Sequence, residues 1–392
     1  MVKKQLEKIR EQGLSSKDIN ILENCFKQNG YRELKDINNI LVIRVDNIGD
    51  FVIQSGFLRE LRKFFPKSKI TLVVSKTVYE IAVNCPYVNR VLVLDYNRTD
   101  ENDYSPGVVA DFILQHNLLK EYFDASFCTQ DGSGSELSQL MAYFSGARIR
   151  IGFGSKSGVL LTDSLQEYAP IPEYKKWAHL LRIVGGNPDN EKPELWYSHS
   201  ALLSVQEQIL EHTKKLNNFS QVIFLCADST QPRFMYSHYD KVIKELKDYL
   251  FIIVGKEDSN NLSGDNIISL VNKTTLQELC ALPLVESLRD KKKLCLSNNT
   301  GTVHIMAANN IPCVQLCVSP KDNNDFITSD SKRFPPAFVT SVQVQPEHSL
   351  GKCKDSTIYT HCIENKPHCI NQIKTRDIIN AIRTLETVSI YN

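Results

Sequence analysis

The chain has 392 residues, is 42% hydrophobic and 23% charged, and carries a net charge of +1. That length suits two medium domains and a core that needs no staples. The balanced charge gives no global field for nucleic acid, so no nucleic-acid partner is expected. No apolar run reaches the ~18 residues of a membrane span. The opening "MVKKQLEKIREQ" has no signal-peptide apolar core. Of eleven cysteines, Cys226, Cys295, Cys313 and Cys317 sit inside apolar runs. Buried, reduced thiols of a cytoplasmic protein fit that placement better than a disulfide frame.

Residues 1–38 read as short polar helices, an extension before the first strand. From Asn39 the pattern alternates. "ILVIRV" predicts a strand and Val52–Phe65 an amphipathic helix. "KITLVVS" is a strand, a helix lies near Val78–Asn84, and "RVLVLD" is a strand. Val108–Leu119 is helical, "ASFCTQ" extended, "ELSQLMAYFSGA" helical and "RIRIGFG" extended. The rhythm restarts with a helix at Ser204–Leu216 and the strand "QVIFLCA". A helix at Tyr239–Lys247, "LFIIVG", a helix at Thr275–Leu282, "KLCLSN", a helix from "TVHIMAAN" and the strand "PCVQLCV" follow. Asp322 to about Lys374 is polar and poorly periodic, so mostly loop is expected, and Thr375–Leu385 closes as a helix. Buried runs alternating with amphipathic helices imply parallel sheets covered on both faces. The expected class is α/β, with units at 39–200 and 201–374 and a closing helix at 375–392. Two such units facing each other would turn their strand C-terminal ends towards one cleft, where doubly wound sheets bind ligands.

Several stretches carry chemistry. "VDNIGDF" places Asn47, Gly49 and Asp50 where a buried strand hands over to a helix. Glycine lets backbone approach a ligand. Asp50 reads either as a helix N-cap or as a general base. "LSNNTGTVHIMAANNIP" leads a strand through Asn299, Thr300 and Gly301 into a helix with His304 in its first turn. Free amides and the helix dipole there suit an anion; a capped helix with a surface histidine is the other reading. "CADSTQPRF" offers Ser229 and Arg233, either a phosphate clamp or a polar loop. "IIVGKEDSN" offers Glu257, either a ribose contact or a helix cap. No Walker loop follows any strand, and no G-x-G-x-x-G follows the first.

In order and spacing, "ILVIRVDNIGDFVIQSGFLRELRKFFP", "YFDASFCTQ…FSGARIRIGFG", "VNKTTLQEL" and "SNNTGTVHIMAANNIPCVQL" resemble glycosyltransferase family 9, the heptosyltransferases of lipopolysaccharide cores. The resemblance runs from about Ile40 to Ile382. It implies a GT-B fold: two facing Rossmann-like domains, with acceptor at 39–200 and nucleotide-sugar donor at 201–374, and a final helix crossing back to the first domain. It implies inverting transfer without a required metal or other cofactor. The donor would be a nucleotide sugar, ADP-heptose first, and the acceptor a lipid-linked or surface glycan at the inner face of the cytoplasmic membrane. The family's catalytic base falls on Asp50, with Asn47 and Gly49 on the acceptor-side loop. Its donor-binding residues fall on Ser229, Arg233, Glu257, Asn299, Thr300, Gly301 and His304. Three positions depart from the pattern: Asn299 for aspartate, Arg233 for lysine, Asn272 for glycine. Two rivals stand beside this reading: a relative using another nucleotide sugar or a protein acceptor, and a non-catalytic nucleotide-binding scaffold.

Two further features have open readings. Cys353, Cys362 and Cys369, with His361 and His368 nearby, are either a soft-metal site or a cysteine-bearing loop, and their spacing matches no zinc knuckle. "KKQLEKIREQ" is either a peripheral membrane contact or a solvated helix face.

Overall fold

The computed structural model describes residues 37–95, 106–132, 135–154, 160–166, 170–257, 261–326, 329–351, 364 and 366–388. The expected N-terminal helices, at residues 1–36, lie outside that set. The chain divides into two compact units between Glu191 and Lys192.

In the first unit, β1 (Asn39–Arg44), β2 (Lys69–Ser75), β3 (Arg90–Leu94), β4 (Ala125–Cys128), β5 (Ile149–Gly154) and β6 (Asp163–Gln166) form one sheet in the order 3-2-1-4-5-6. All its pairings are parallel. In the second, β7 (Gln221–Cys226), β8 (Tyr249–Val254), β9 (Ile267–Ser269), β10 (Lys292–Asn298), β11 (Cys313–Leu316) and β12 (Ser341–Val344) form a parallel sheet in the order 12-11-10-7-8-9. Both are doubly wound, and the strand order reverses between β1 and β4 and between β7 and β10.

Unbroken apolar strands are what two covered faces require. Every residue of β8 is buried. Along β7, Ile223 and Leu225 pack on one face while Val222, Phe224 and Cys226 pack on the other, the two-residue period of a strand. The face holding Ile223 is covered by Tyr239, Val242 and Ile243 and by the closing helix, Thr375–Val388, through Ile378, Ile379, Ile382 and Leu385. That helix is packed on the sheet of the second unit.

Other boundaries differ from expectation. The predicted Val52–Phe65 helix is two pieces, Ile48–Ile53 and Gly56–Phe64. At the break, the Ser55 hydroxyl bonds back to the Val52 carbonyl at 2.7 Å, a local bond that competes with the helix ladder. The expected loop at 322–374 contains β12, paired in register with β11. The short strands β6 and β9 and the buried helix Glu173–Ile183 were not among the expected elements.

In the first unit Phe57 meets Phe127 edge-on at 5.5 Å and Trp177 at 6.1 Å between ring centroids. Phe57→Ala should cost about 3–5 kcal/mol in urea unfolding. A cost below ~1 kcal/mol would show that these rings do not hold the Gly56–Phe64 helix on its sheet.

Candidate functional site

At the first switch point, β1 ends on Arg44, a buried guanidinium. It donates to the Thr129 carbonyl beyond β4 at 2.7 Å and to the Asp50 carbonyl at 3.1 Å, and pairs with Asp46 at 3.2 Å. One residue thereby joins the C-terminal ends of both strands to the Ile48–Ile53 helix. Asn47 holds the N-cap position, is exposed, and makes no side-chain cap bond. Asp50 lies in the first helical turn and is half-buried, with Gly49 before it. The N-cap reading of Asp50 is therefore replaced: the helix starts at Ile48. Gln54 is buried, and neither atom of its amide has a hydrogen-bond partner among the described residues.

A second buried charge group lies beyond β4. Lys176 pairs with Asp131 and, at 2.8 Å, with Glu173, and all three side chains are essentially inaccessible. Nothing in the spacing of Asp131 flagged it; the lysine and Glu173 are an i, i+3 pair on one helix.

In the second unit three loops gather at the ends of β7, β8 and β10. Asn298 is fully buried, donates to the Ala227 carbonyl at 3.0 Å and accepts from the Tyr239 hydroxyl at 2.7 Å. Asp228 accepts the amides of Lys256 at 2.6 Å and Glu257 at 3.1 Å. That turn needs Gly255, whose φ is +141° and whose missing side chain would strike the Asp228 carboxylate. Asn272 has φ +54°, a left-handed geometry that asparagine tolerates, which explains how it stands in place of glycine.

Thr300 holds the N-cap position of the Gly301–Ala308 helix but makes no cap bond. Its hydroxyl lies 3.3 Å from the Ser297 hydroxyl and 3.9 Å from the Cys226 sulfur. The first-turn amides thus receive no cap from Thr300 and offer the donors an anion takes. His304 is not a surface residue: it is 4% exposed, and its buried Nδ1 has no hydrogen-bond partner among the described residues. Burial lowers its pKa to about 4, so the ring is neutral at pH 7. Ser229 accepts from the Gln231 amide at 3.2 Å. Arg233 is half-buried rather than solvated, bonded to Gln231 and stacked on Phe234 at 5.0 Å. Glu257 is exposed. Asn299 has both ends of its amide engaged, with Gln315 and with Asp330. Ser229, Glu257, Thr300, Gly301 and His304 therefore share one pole of the second unit, whereas Asn47, Gly49 and Asp50 belong to the first.

Of the cysteine group, Cys353, Cys362 and His361 lie outside the described residues. Cys369 is buried, with its sulfur 3.0 Å from Nδ1 of His368. Among the described residues no cluster of three or more metal-ligating side chains is found, and no helix is long and apolar enough to cross a membrane.

Two doubly wound sheets, with a helix opening at the switch point of the second, define a pair of Rossmann-like units. No protein-family model and no curated protein sequence matches the chain. Solved structures do. A glycosyl transferase family 9 protein from Veillonella parvula is similar with a TM-score of 0.71 at 17% identity, over 91% of this chain and 99% of that one. E. coli ADP-heptose lps heptosyltransferase II is similar with a TM-score of 0.61 at 18% identity, over 88% and 98%. E. coli heptosyltransferase WaaC with ADP is similar with a TM-score of 0.56 at 11% identity, over 88% and 99%. The GT-B heptosyltransferase fold expected from the sequence motifs is the fold the chain has.

Lys176→Met would leave two buried carboxylates sharing one site, so a loss of about 3–5 kcal/mol in denaturant unfolding is expected; a neutral result would mean that the group is hydrated. His304 sets a pH dependence. The unfolded imidazole takes up a proton near 6.5 while the folded one resists until about 4. Between those values the unfolded state binds more protons, so stability falls as pH drops, by up to about 3 kcal/mol from this group. The buried His179 adds a fall of the same sign. Calorimetry across this window should show a shallower fall for His304→Gln.

Proposed function

We propose that the chain is an inverting glycosyltransferase that moves a sugar, heptose first among the candidates, from a nucleoside-diphosphate donor to a hydroxyl of a surface-glycan acceptor. The observation that carries this reading is the start of the Gly301–Ala308 helix: first-turn amides that Thr300 does not cap, beside a buried, neutral histidine whose Nδ1 has no partner among the described residues. A diphosphate is the ligand that would use both. Support for the sugar comes from the fold, shared with E. coli heptosyltransferase structures, one of which holds ADP. In this reading Thr300, Gly301 and His304 receive the diphosphate, Ser229 and Arg233 flank it, and Glu257 is placed for the ribose. Eight buried free cysteines among the described residues support a reducing, cytoplasmic location, with the acceptor met at the membrane's inner face.

The chemistry is one in-line displacement. Asp50 takes the acceptor hydroxyl's proton as the new C–O bond forms at the anomeric carbon. The bond to the diphosphate breaks on the opposite face, which inverts the configuration. Negative charge grows on the leaving diphosphate, where the helix amides and Arg233 stabilise it more strongly than in the ground state. No step in this scheme requires a divalent cation. Arg44 acts at one remove by fixing the backbone of Asp50.

Melting shifts with ADP, GDP and UDP should single out one base, and the mass of the product from the matching nucleotide sugars would name the sugar. Transfer from no heptose donor removes the heptose assignment. Asp50→Asn should keep nucleotide affinity and lose at least ~100-fold in turnover; an unchanged rate dismisses the assigned base.

A further inference from the structure

Asn299 follows β10 and precedes Thr300, a position next to the proposed donor site. Its bonds are made within the protein. Oδ1 accepts from the Gln315 amide at 2.8 Å, and Nδ2 donates to Asp330 at 3.3 Å. The backbone amide is held too, by the Leu316 carbonyl at 3.0 Å. Asp330 is equally occupied. It accepts the amides of Val318 and Ser319, each at 3.0 Å, and the Ser319 hydroxyl. With Asn299 that makes four donors, the full capacity of a carboxylate. Gln315 is fully buried and also donates to the Phe334 carbonyl at 3.0 Å.

We infer that Asn299 and Asp330 are a positioning pair which fixes the loop leading into the Gly301–Ala308 helix, and that residue 299 must be neutral because Asp330 already supplies the carboxylate there. The inference rests on the diphosphate reading of that helix start. An aspartate at 299 would set two carboxylates about 3 Å apart, where both cannot stay ionised without strong repulsion. It would also add negative charge next to the amides that receive an anion, and would lose the donor that satisfies Asp330. Were Asn299 instead a direct donor contact, an aspartate would accept hydroxyl hydrogens at least as well, and affinity would hold or rise.

The experiment measures ADP, GDP and UDP affinity by calorimetry on the full chain for the parent, Asn299→Asp, and the swap Asn299→Asp with Asp330→Asn. Thermal melting of each ligand-free protein confirms folding and reads the coupling between the two positions. Asn299→Asp is expected to weaken the preferred nucleotide on the order of tenfold or more and to lower the melting temperature. The swap restores one carboxylate and one amide, and should recover much of both losses. Affinity unchanged or raised in Asn299→Asp overturns the inference, as does a swap no better than the single variant in both readouts. A parent that binds none of the three nucleotides overturns the diphosphate reading itself and this pair's role with it, an outcome visible before any substitution is made.

Discussion

The pairing of β7 with β10, and of β1 with β4, is the constraint on which the rest depends. At these pairs the crossovers leave in opposite directions, so no connection covers the two strand ends. Backbone groups there must find partners outside the ladder. Asn298 does this in the second unit, tying the end of β10 to Ala227 beyond β7. Arg44 does it in the first, tying β1 to Thr129 beyond β4. In the second unit the tie stands beside the start of the Gly301–Ala308 helix, where Thr300 makes no cap bond.

Those ties are costly groups to bury. A guanidinium or an ammonium taken from water needs partners that offset its lost hydration. Arg44 spreads its charge over two carbonyls and Asp46, and Lys176 meets two carboxylates. Such groups hold a backbone more precisely than apolar packing does, because bonds to a charged donor depend on direction. A base or an anion site needs that precision, since small displacements reduce rate or affinity. His304 is the contrasting case: burial keeps it neutral, and its Nδ1, without a partner among the described residues, stays ready for one.

Much of the fold was legible. Runs such as "LFIIVG" and "QVIFLC" could only be strands covered on both faces, and the alternation with helices implied parallel sheets. The short elements were not legible. β6, β9 and β12 are three or four residues long, too short for a period, and are strands because a neighbour supplies the ladder. The break at Gln54–Ser55 was hidden because the apolar spacing continues through it. At the site, Asp50, Thr300, Gly301 and His304 stood out because each lies within three residues of the start of a helix. Arg44 left a clue, a charge inside "ILVIRV", that helical and strand patterns do not weigh.

By itself, the sequence determined which segments are buried and where strands give way to helices, because hydrophobic period and turn residues are local properties. Only the tertiary structure decided which strand ends lie side by side, and so which polar groups meet. Asp330 and Asn299 are 31 residues apart, Lys176 and Asp131 45. Their polar groups become partners only once the chain has folded them together, and no pattern along the sequence carries that information.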